Sequence, residues 1–545
     1  VTDGTSTARA PRPFLGGWHL ALPLIALGAF RDLWAPDEPR YAQIAREAWE
    51  SGSLLVLHIC GDVYPDKPPL VYWLAAICGE LGGWTGFALR VPSILATLGS
   101  AWIAARIARR HFGEVVAAWT PTFYLGSAMV LWFGGRLQLD PLLAFFCLAA
   151  VDLVWTDGGT DRERTRRLLL AGLCAGLGAL CKGPVAWLFV GFALLALRLV
   201  PSAVRVPARW RASAWIGFSL LAILPVATWA TLASLSEPTL WKPLFLGQHL
   251  GRAVSAEAPH RGPPWEHLWQ MPALFLPWTA LFLIGFAAAW RAWRSARADS
   301  SRVPLGPQAR GLVLALVWFV PVLVVFSAMP PKRELYLLPL YPVAAWFAAV
   351  ALERALASGR LTAWAGYGTT ALVLVLGLGA LIAPRIVTDA RPYADAAVPV
   401  GIAFTSAALA SAIYLRRRNL ARWADALSLG LSAVGLAAAI SVIPLVDPVK
   451  SARILAHEIA ELPQRPAEIP CLGVQPEGYR FYAHVPTVRG TRADLDTGPT
   501  SSGADFLALI SERDWDDLPR EYRARFRIVH RRQVGSRDVL VIGVP

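Results

Sequence analysis

The sequence is poor in charge, in lysine and in any spacing that would hold a metal or a nucleotide. Only 17% of its 545 residues are charged and 55% are hydrophobic, with a mean hydropathy of +0.45. Those values exclude an ordinary soluble domain and describe a polytopic membrane protein. Six cysteines are scattered, Cys147, Cys174 and Cys181 inside apolar runs, and none has metal-ligand spacing. Cys60 with Cys78 is the one disulfide conceivable, if both are external. There is no Walker motif and no nucleotide-sugar Asp-x-Asp in a credible loop, which fits a lipid-linked donor. No repeat is visible and charges do not sit mid-span, which disfavours a transporter or flippase. The first apolar run lacks a small-residue cleavage site, so a cleaved signal is not expected. A net charge of +14 could suggest nucleic acid. The arginines, however, lie in short clusters between apolar runs, where they report membrane orientation.

Apolar runs long enough to cross a bilayer fall near 14–31, 86–106, 115–133, 141–156, 168–181, 184–200, 213–233, 269–290, 311–328, 335–352, 362–383, 398–415 and 424–444, at about 20 residues per span. Thirteen spans put the termini on opposite sides. Alternate connections carry the arginines, among them Arg106, Arg109 and Arg110, then Arg162 to Arg167, then Arg416 to Arg418. These are cytoplasmic by the positive-inside rule. The loops 32–85 and 234–268 and the stretch 447–545 then face outward. The expected layout is a membrane domain over 1–446 and a small outer α/β domain over 447–545. In the latter, FRIVHRR and VLVIGV around QVGSRD read as a hairpin, and a helix is expected near Ala504 to Glu512.

The stretch from Asp32 to Tyr72 gathers Asp37, Glu38, Arg40, Glu47, Asp62, Asp66 and Lys67 in one loop. Within it an amphipathic helix is readable from Arg40 to Trp49, with Tyr41, Ile44, Ala45 and Ala48 on one face and Gln43, Glu47 and Glu50 turned away. Such a helix lies flat at the membrane surface, at the depth of a lipid headgroup. Asp37 and Glu38 could simply serve the start of that helix, and Asp140 could cap the one it opens. Beside Asp37, Asp140 could equally complete an acidic pair.

The five lysines, Lys67, Lys182, Lys242, Lys332 and Lys450, all fall on the outward side, against the arginine bias. One such residue would be expected to snorkel; several converging fit an anionic ligand, and a polyprenyl phosphate is the anion native to that depth. The outward segment WKPLFLGQHLGRAVSAEAPHRGPPWEHLW adds His249, Arg252, His260, Arg261 and His267. His249 and Asp66 could together hold a divalent cation, though no spacing motif joins them.

The segments PDEPRYAQIAREAWESG, YPDKPPLVYWL, RLQLDPLL, LCKGP, FLGQHLGRAV with PHRGPPWEHL, and KRELYLLPLYP occur in one order over residues 15–350. In these the sequence resembles the polyprenyl-phosphate-dependent GT-C glycosyltransferases, most closely the lipid A-modifying aminoarabinose transferases and the related dolichyl-phosphate-mannose family. The resemblance implies a sugar carried on undecaprenyl or a similar phosphate and moved at the outer face, with inversion, to an acceptor hydroxyl or phosphate oxygen. It implies Asp37 as the acceptor's base; Asp140, from its place beside Asp37, is taken as a second catalytic acid. Glu38, Arg40 and Tyr41 would shape the site. Lys67, Lys182, Arg252, Lys332, Arg333 and Tyr336 would hold the donor. Asp66 and His249 look like the family's metal contacts, although the family commonly has Glu at the first, and Pro39 and Gln43 replace polar or acidic residues.

The expectation is therefore an all-α GT-C enzyme of a bacterial inner membrane, probing the periplasm with its active site and C-terminal domain and acting as a monomer. Its partners would be a polyprenyl-phosphate-linked sugar, a lipid A or glycan acceptor and membrane lipid. It would use no nucleotide cofactor and bind no nucleic acid. A protein O-mannosyltransferase-like activity shares the same first-loop acids and stands as the alternative.

Overall fold

In the computed structural model, residues 12–200, 210–242, 261–298, 305–464, 466–496 and 506–545 are described. The chain is a multi-pass membrane protein whose helices follow the apolar runs. After a turn at Phe14–Leu20 come α1 (Ala21–Ala29), α2 (Asp37–Glu50), α3 (Leu70–Leu81), α4 (Gly86–His111), α5 (Glu114–Leu125), α6 (Ala128–Phe133), α7 (Leu139–Val154), α8 (Asp161–Lys182), α9 (Val185–Leu199) and α10 (Ala212–Ser236). Then follow α11 (Glu266–Leu274), α12 (Thr279–Ala298), α13 (Pro307–Ala328), α14 (Tyr341–Ser358), α15 (Ala363–Ile386), α16 (Ala397–Arg416), α17 (Leu420–Ala437) and α18 (Ile443–Lys450). Among the described residues, 7 helical stretches are long and apolar enough to cross a membrane unaided. The run 115–133 is broken at Gly126, where Ser127 caps α6 by accepting from the Val130 amide at 3.4 Å.

Helix α14 runs through the core and is buried along most of its length. Gly285 on α12 lets that helix approach α14 closely: a Cβ there would lie 1.9 Å from the Phe347 carbonyl oxygen, the small-residue contact expected between apolar helices. Tryptophans join neighbouring helices by donating indole N–H groups to backbone carbonyls. Trp346 reaches Ala104, Trp318 reaches Phe189 and Trp278 reaches Gly126, each at 3.0 Å. In an apolar bundle these donors have few other partners, so each contact fixes a helix pair as well as filling space.

The C-terminal part opens with α19 (Arg453–Glu461) and builds a five-stranded sheet from β3 (Ile469–Leu472), β4 (Thr487–Arg489), β5 (Leu507–Ser511), β6 (Arg527–Val534) and β7 (Arg537–Gly543). A short pair, β1 (His58–Ile59) and β2 (Asp62–Val63), lies earlier in the first loop. The sheet order is β4-β3-β5-β7-β6, with β3 parallel to β4 and β5 and the rest antiparallel. The hairpin β6–β7 stands where the alternation put it, turning through Gly535 at φ +69°. The helix expected near 504–512 is instead strand β5, followed by α21 (Glu512–Asp516) after α20 (Glu477–Ala483). FLALI is a continuous apolar run that does not distinguish a buried helix from a central strand, and here it is paired on both sides and buried throughout.

This domain sits on the first loop. Asp447 accepts from the Trp34 indole at 2.6 Å and the Tyr482 hydroxyl from the Leu33 amide at 2.7 Å, while Arg46 donates to the Phe481 carbonyl at 2.6 Å. The amphipathic reading of α2 therefore needs correction. Gln43, expected to face water, is 3% exposed, and Glu47 accepts from the Cys60 amide at 2.8 Å with Arg480 3.7 Å away. Glu50, at the end of the helix, is exposed as expected, but α2 up to Ala48 is covered, on one face by α3 and on the other by the C-terminal domain. All six cysteines, including Cys60 and Cys78, are free thiols.

Candidate active site at the start of helix α2

Helix α2 begins directly at the two acids. Pro36 occupies its N-cap, and neither Asp37 nor Glu38 caps the helix they begin; as first-turn carboxylates they lie where the helix dipole favours negative charge. Their side chains then diverge. Glu38 is 1% exposed. It accepts from Arg90 Nε at 2.8 Å and Nη2 at 3.0 Å, from Arg31 Nη2 at 3.0 Å, and from the Trp34 and Leu137 amides at 3.3 and 3.1 Å. Arg90 also donates to the carbonyls of Gly28, Arg31 and Asp32 at 2.8, 2.6 and 2.7 Å. Burial pushes the Glu38 carboxyl up, but Arg31 and Arg90 more than offset it and hold it at about 2. Glu38 is thus a permanent anion that ties together the end of α1, the start of α2, α4 and the strand of chain leading into α7. Glu38, expected to shape the site and contact substrate, has its oxygens taken up by protein donors instead, and it fixes the helix that presents Asp37.

Asp37 is less enclosed. Its Oδ2 accepts from Arg333 Nη2 at 2.8 Å and from Gln138 Nε2 at 3.4 Å. Gln138 is the N-cap of α7 and holds an extended backbone; its side chain is free of its own helix and reaches across to α2. Burial raises the Asp37 carboxyl, and Arg333, Gln138 and Arg40 together pull it below its usual range. Beside it, burial and then the charge of Asp37 keep the Tyr41 phenol protonated well above its ordinary value. Tyr41 packs edge-on to Tyr72 with ring centroids 5.7 Å apart.

A second acid and cation lie close by. Asp140, in the first turn of α7 and 3% exposed, is paired with Lys182, the last residue of α8. Helix α8 stops there because Gly183 takes φ +92°, a conformation that suits glycine; the chain then restarts through Pro184 into α9. The Lys182 ammonium stands 4.7 Å over the Tyr336 ring, in cation-π range. The charge of Asp140 is felt at both Arg333 and Tyr41. Residues 37, 41, 140, 182, 333 and 336, from four separate segments, therefore form one polar cluster of two acids, two cations and two phenols.

Other residues singled out in the sequence arrive elsewhere. Lys332 is 5% exposed and turns back on the end of α13, donating to the carbonyls of Phe326 at 3.2 Å, Ser327 at 2.8 Å and also Met329. Those carbonyls have no helical donor left, and the lysine satisfies them instead of reaching an anion. Arg40 points to the C-terminal domain, with Glu477 3.7 Å away. Asp66 and Lys67 are half-buried between β2 and α3. Arg252 and His249 lie outside the described residues. Among the described residues no three His, Cys, Asp or Glu side chains gather as a metal-holding group. Arg31, Arg90 and Gln138 were missed. Arg90 sits at the head of an apolar run, where a lone arginine in a span was the available signal.

Comparison with known proteins decides the family. A family model described as dolichyl-phosphate-mannose-protein mannosyltransferase matches residues 66–229. The undecaprenyl phosphate-α-4-amino-4-deoxy-L-arabinose arabinosyl transferase 1 of Sodalis glossinidius is 32% identical over 409 residues, 72% of this chain and 69% of that protein. The chain belongs to the polyprenyl-phosphate-sugar GT-C glycosyltransferases. Another member, arabinosyl transferase 2 of Pseudomonas fluorescens, is 29% identical over 72% of this chain, and the match spans 65% of that enzyme's length. The GT-C fold is also that of ArnT from Cupriavidus metallidurans, solved bound to undecaprenyl phosphate, with a TM-score of 0.74, 21% identity and 97% of each chain covered. GT-C enzymes are glycosyltransferases, and this chain is one.

Proposed function

We propose that the chain moves a sugar, such as 4-amino-4-deoxy-L-arabinose or another pentose or hexose, from a polyprenyl phosphate to a hydroxyl or phosphate oxygen of an envelope acceptor such as lipid A or a glycan, with inversion. The observation that carries this reading is the meeting of the Asp37–Arg333 and Asp140–Lys182 pairs. Each acid there holds one cation that an incoming phosphate could take. Arg333 is the better phosphate ligand of the two by geometry, since its planar fork suits a tetrahedral anion, and Lys182 supplies a point charge beside Tyr336.

In the donor-free protein Arg333 makes Asp37 a weak base. When the donor phosphate draws the guanidinium away, Asp37 loses its main counter-charge and its proton affinity rises. The carboxylate is then competent to take the proton of the attacking acceptor oxygen. Arg333 and Lys182, now on the phosphate, stabilise the charge that grows on its oxygens as the anomeric bond breaks. Lys67 and Arg252 complete the donor cradle in this reading, and Asp66 with His249 would be the place for a divalent cation if one takes part. Donor binding thus switches on the base.

The reading includes a thirteen-span layout with loops 32–85 and 234–268 and residues 447–545 on the periplasmic side of a bacterial inner membrane. The arginine-rich alternate connections support it. The test is reconstitution of the purified full-length chain in proteoliposomes with a polyprenyl-phosphate-linked sugar and lipid A, followed by mass spectrometry of the lipid. An acceptor heavier by one sugar is the expected product; an acceptor unchanged with every donor offered overturns the proposal.

A further inference from the structure

The end of α4 that lies away from Glu38 carries a groove of about 410 Å³, walled by α4, α5 and the chain around the turn at Phe14–Leu20. Its lining changes character with depth. Only Phe112 and Gly113 join α4 to α5, so the two helices run antiparallel and the residues beside that connection stand together at the mouth. They are Arg106 and Arg109 on α4 and Glu114 on α5, with Arg12 from the segment before the turn. Trp102 and Pro121 are each two helical turns further in, about 10 Å by the rise of a helix, and Ala117 and Ala118 lie between Pro121 and the mouth. Trp102 is 54% exposed and has the Arg106 guanidinium 4.7 Å over its ring. The groove is therefore charged at the mouth and apolar below it, on both helices.

Charge decides what the mouth takes. Asp152 is shared by Arg106 and Arg110, Glu114 pairs with Arg109 Nε at 2.9 Å, and Arg12 has no ion pair among the described residues. Four arginines thus face two acids, an excess of positive charge that the described residues leave unneutralised. The Arg109–Glu114 pair is exposed on both sides and such a pair is worth little, so an arriving phosphate draws Arg109 away at small cost. A soluble anion would leave the apolar part of the groove uncovered, and a zwitterionic lipid would bring its own cation to a mouth already in excess. A lipid with a net negative head matches both halves. From these features we infer that the groove seats an anionic phospholipid, its phosphate between Arg12 and Arg109 and an acyl chain along Trp102 and Pro121. The site is separate from the catalytic cluster. That the lipid belongs to the cytoplasmic leaflet rests on the layout proposed above; the binding does not, so a reversed layout changes the leaflet and leaves the test as it stands.

Native mass spectrometry of the full-length chain in detergent, with dioleoyl phosphatidylglycerol or dioleoyl phosphatidylcholine added, is the test. The two lipids share their acyl chains and differ in headgroup charge. For the tightest-bound adduct the wild type should prefer phosphatidylglycerol about tenfold, the worth of one charge-assisted contact. Arg12→Gln combined with Arg109→Gln should bring phosphatidylglycerol down to the phosphatidylcholine level. Both side chains are exposed, so phosphatidylcholine binding, Tm and sugar transfer should stay as in the wild type. Trp102→Ala should weaken both lipids alike, since it removes the wall that the acyl chain covers. Equal binding of the two lipids by the wild type, or a preference for phosphatidylglycerol kept in the double variant, overturns the site. Release of phosphatidylglycerol by millimolar inorganic phosphate would make the mouth a free-anion site, and a doubled mass with no lipid adduct would make the groove a contact between two copies. Either result overturns the lipid as occupant.

Discussion

At the C-terminal end of α7, Asp152 is 2% exposed and is paired with both Arg106 and Arg110, two residues one turn apart on α4. Arg110 also donates to Thr156, whose hydroxyl donates to the Asp152 carbonyl at 2.6 Å. At the N-terminal end of the same helix, Asp140 has one cation, Lys182, and the neighbouring Asp37 has another, Arg333. Both ends carry buried acids paired with cations, so burial and ion pairing alone do not mark a catalytic site. The difference is in supply. The Asp152 cluster is closed by two cations from a single helix and locks α4 to α7, whereas the Asp37 and Asp140 pairs draw one cation each from distant segments and leave capacity for an anion to exchange into. Convergence of singly paired acids from separate elements is what separates a working site from a staple.

Substitutions at the two ends should therefore diverge. The largest effect is expected for Asp37→Asn, which removes the base while keeping the shape; transfer in proteoliposomes should fall by about 10² to 10⁴, with donor affinity within about threefold by equilibrium binding. Retained turnover would merge the two ends into one class. Lys182→Ala should raise the donor KM about tenfold to a hundredfold, the loss of a charge-assisted contact of about 1.5–3 kcal/mol. An unchanged KM would make the Asp140 pair a staple too.

Next comes Glu38→Gln, which leaves Arg31 and Arg90 facing a neutral amide. Stability should drop by about 3 kcal/mol or more, as in broken buried pairs, with a lower kcat at permissive temperature because Asp37 is no longer held in place. Folding linkage has the same sign: the Glu38 carboxyl is depressed from 4.5 to about 2, so its stabilising contribution is complete above pH 4.5 and is lost as the pH falls through about 2. Acid denaturation followed by tryptophan fluorescence should show this component missing in the variant. The smallest effect on activity is expected at the opposite end of α7, where Asp152→Asn should lower stability by about 1–3 kcal/mol and leave kcat and KM within about twofold. A tenfold change in either constant there would break the contrast.

Much of this was legible in the sequence, and the reasons are physical. Helix positions follow hydropathy because each span must bury about the same length of chain, and the acids and cations of the cluster stood out as charges at span ends. Other features depend on contacts that sequence spacing does not encode. Glu38 and Arg90 are 52 residues apart, so nothing local showed that Glu38 is enclosed while Asp37 beside it is available. Lys332 and Arg333 are adjacent with the same charge, yet the first completes the end of α13 and the second reaches Asp37; which one turns inward is set by the three open carbonyls, visible only in the fold. The surface role read for α2 missed that the C-terminal domain, far along the chain, covers its polar face. The strand at Leu507–Ser511 was hidden by a run that two secondary structures share.

The exchange of Arg333 from Asp37 to the donor phosphate is read most directly by comparing the acid limbs of kcat/KM and kcat, the first reporting the free enzyme and the second the donor complex. Arg333 holds the Asp37 carboxyl below its usual range in the donor-free protein, so kcat/KM should show no acid limb above about pH 4, while the limb in kcat lies at higher pH because the guanidinium has moved. Acid limbs that coincide, or a kcat limb displaced to lower pH, would contradict the account.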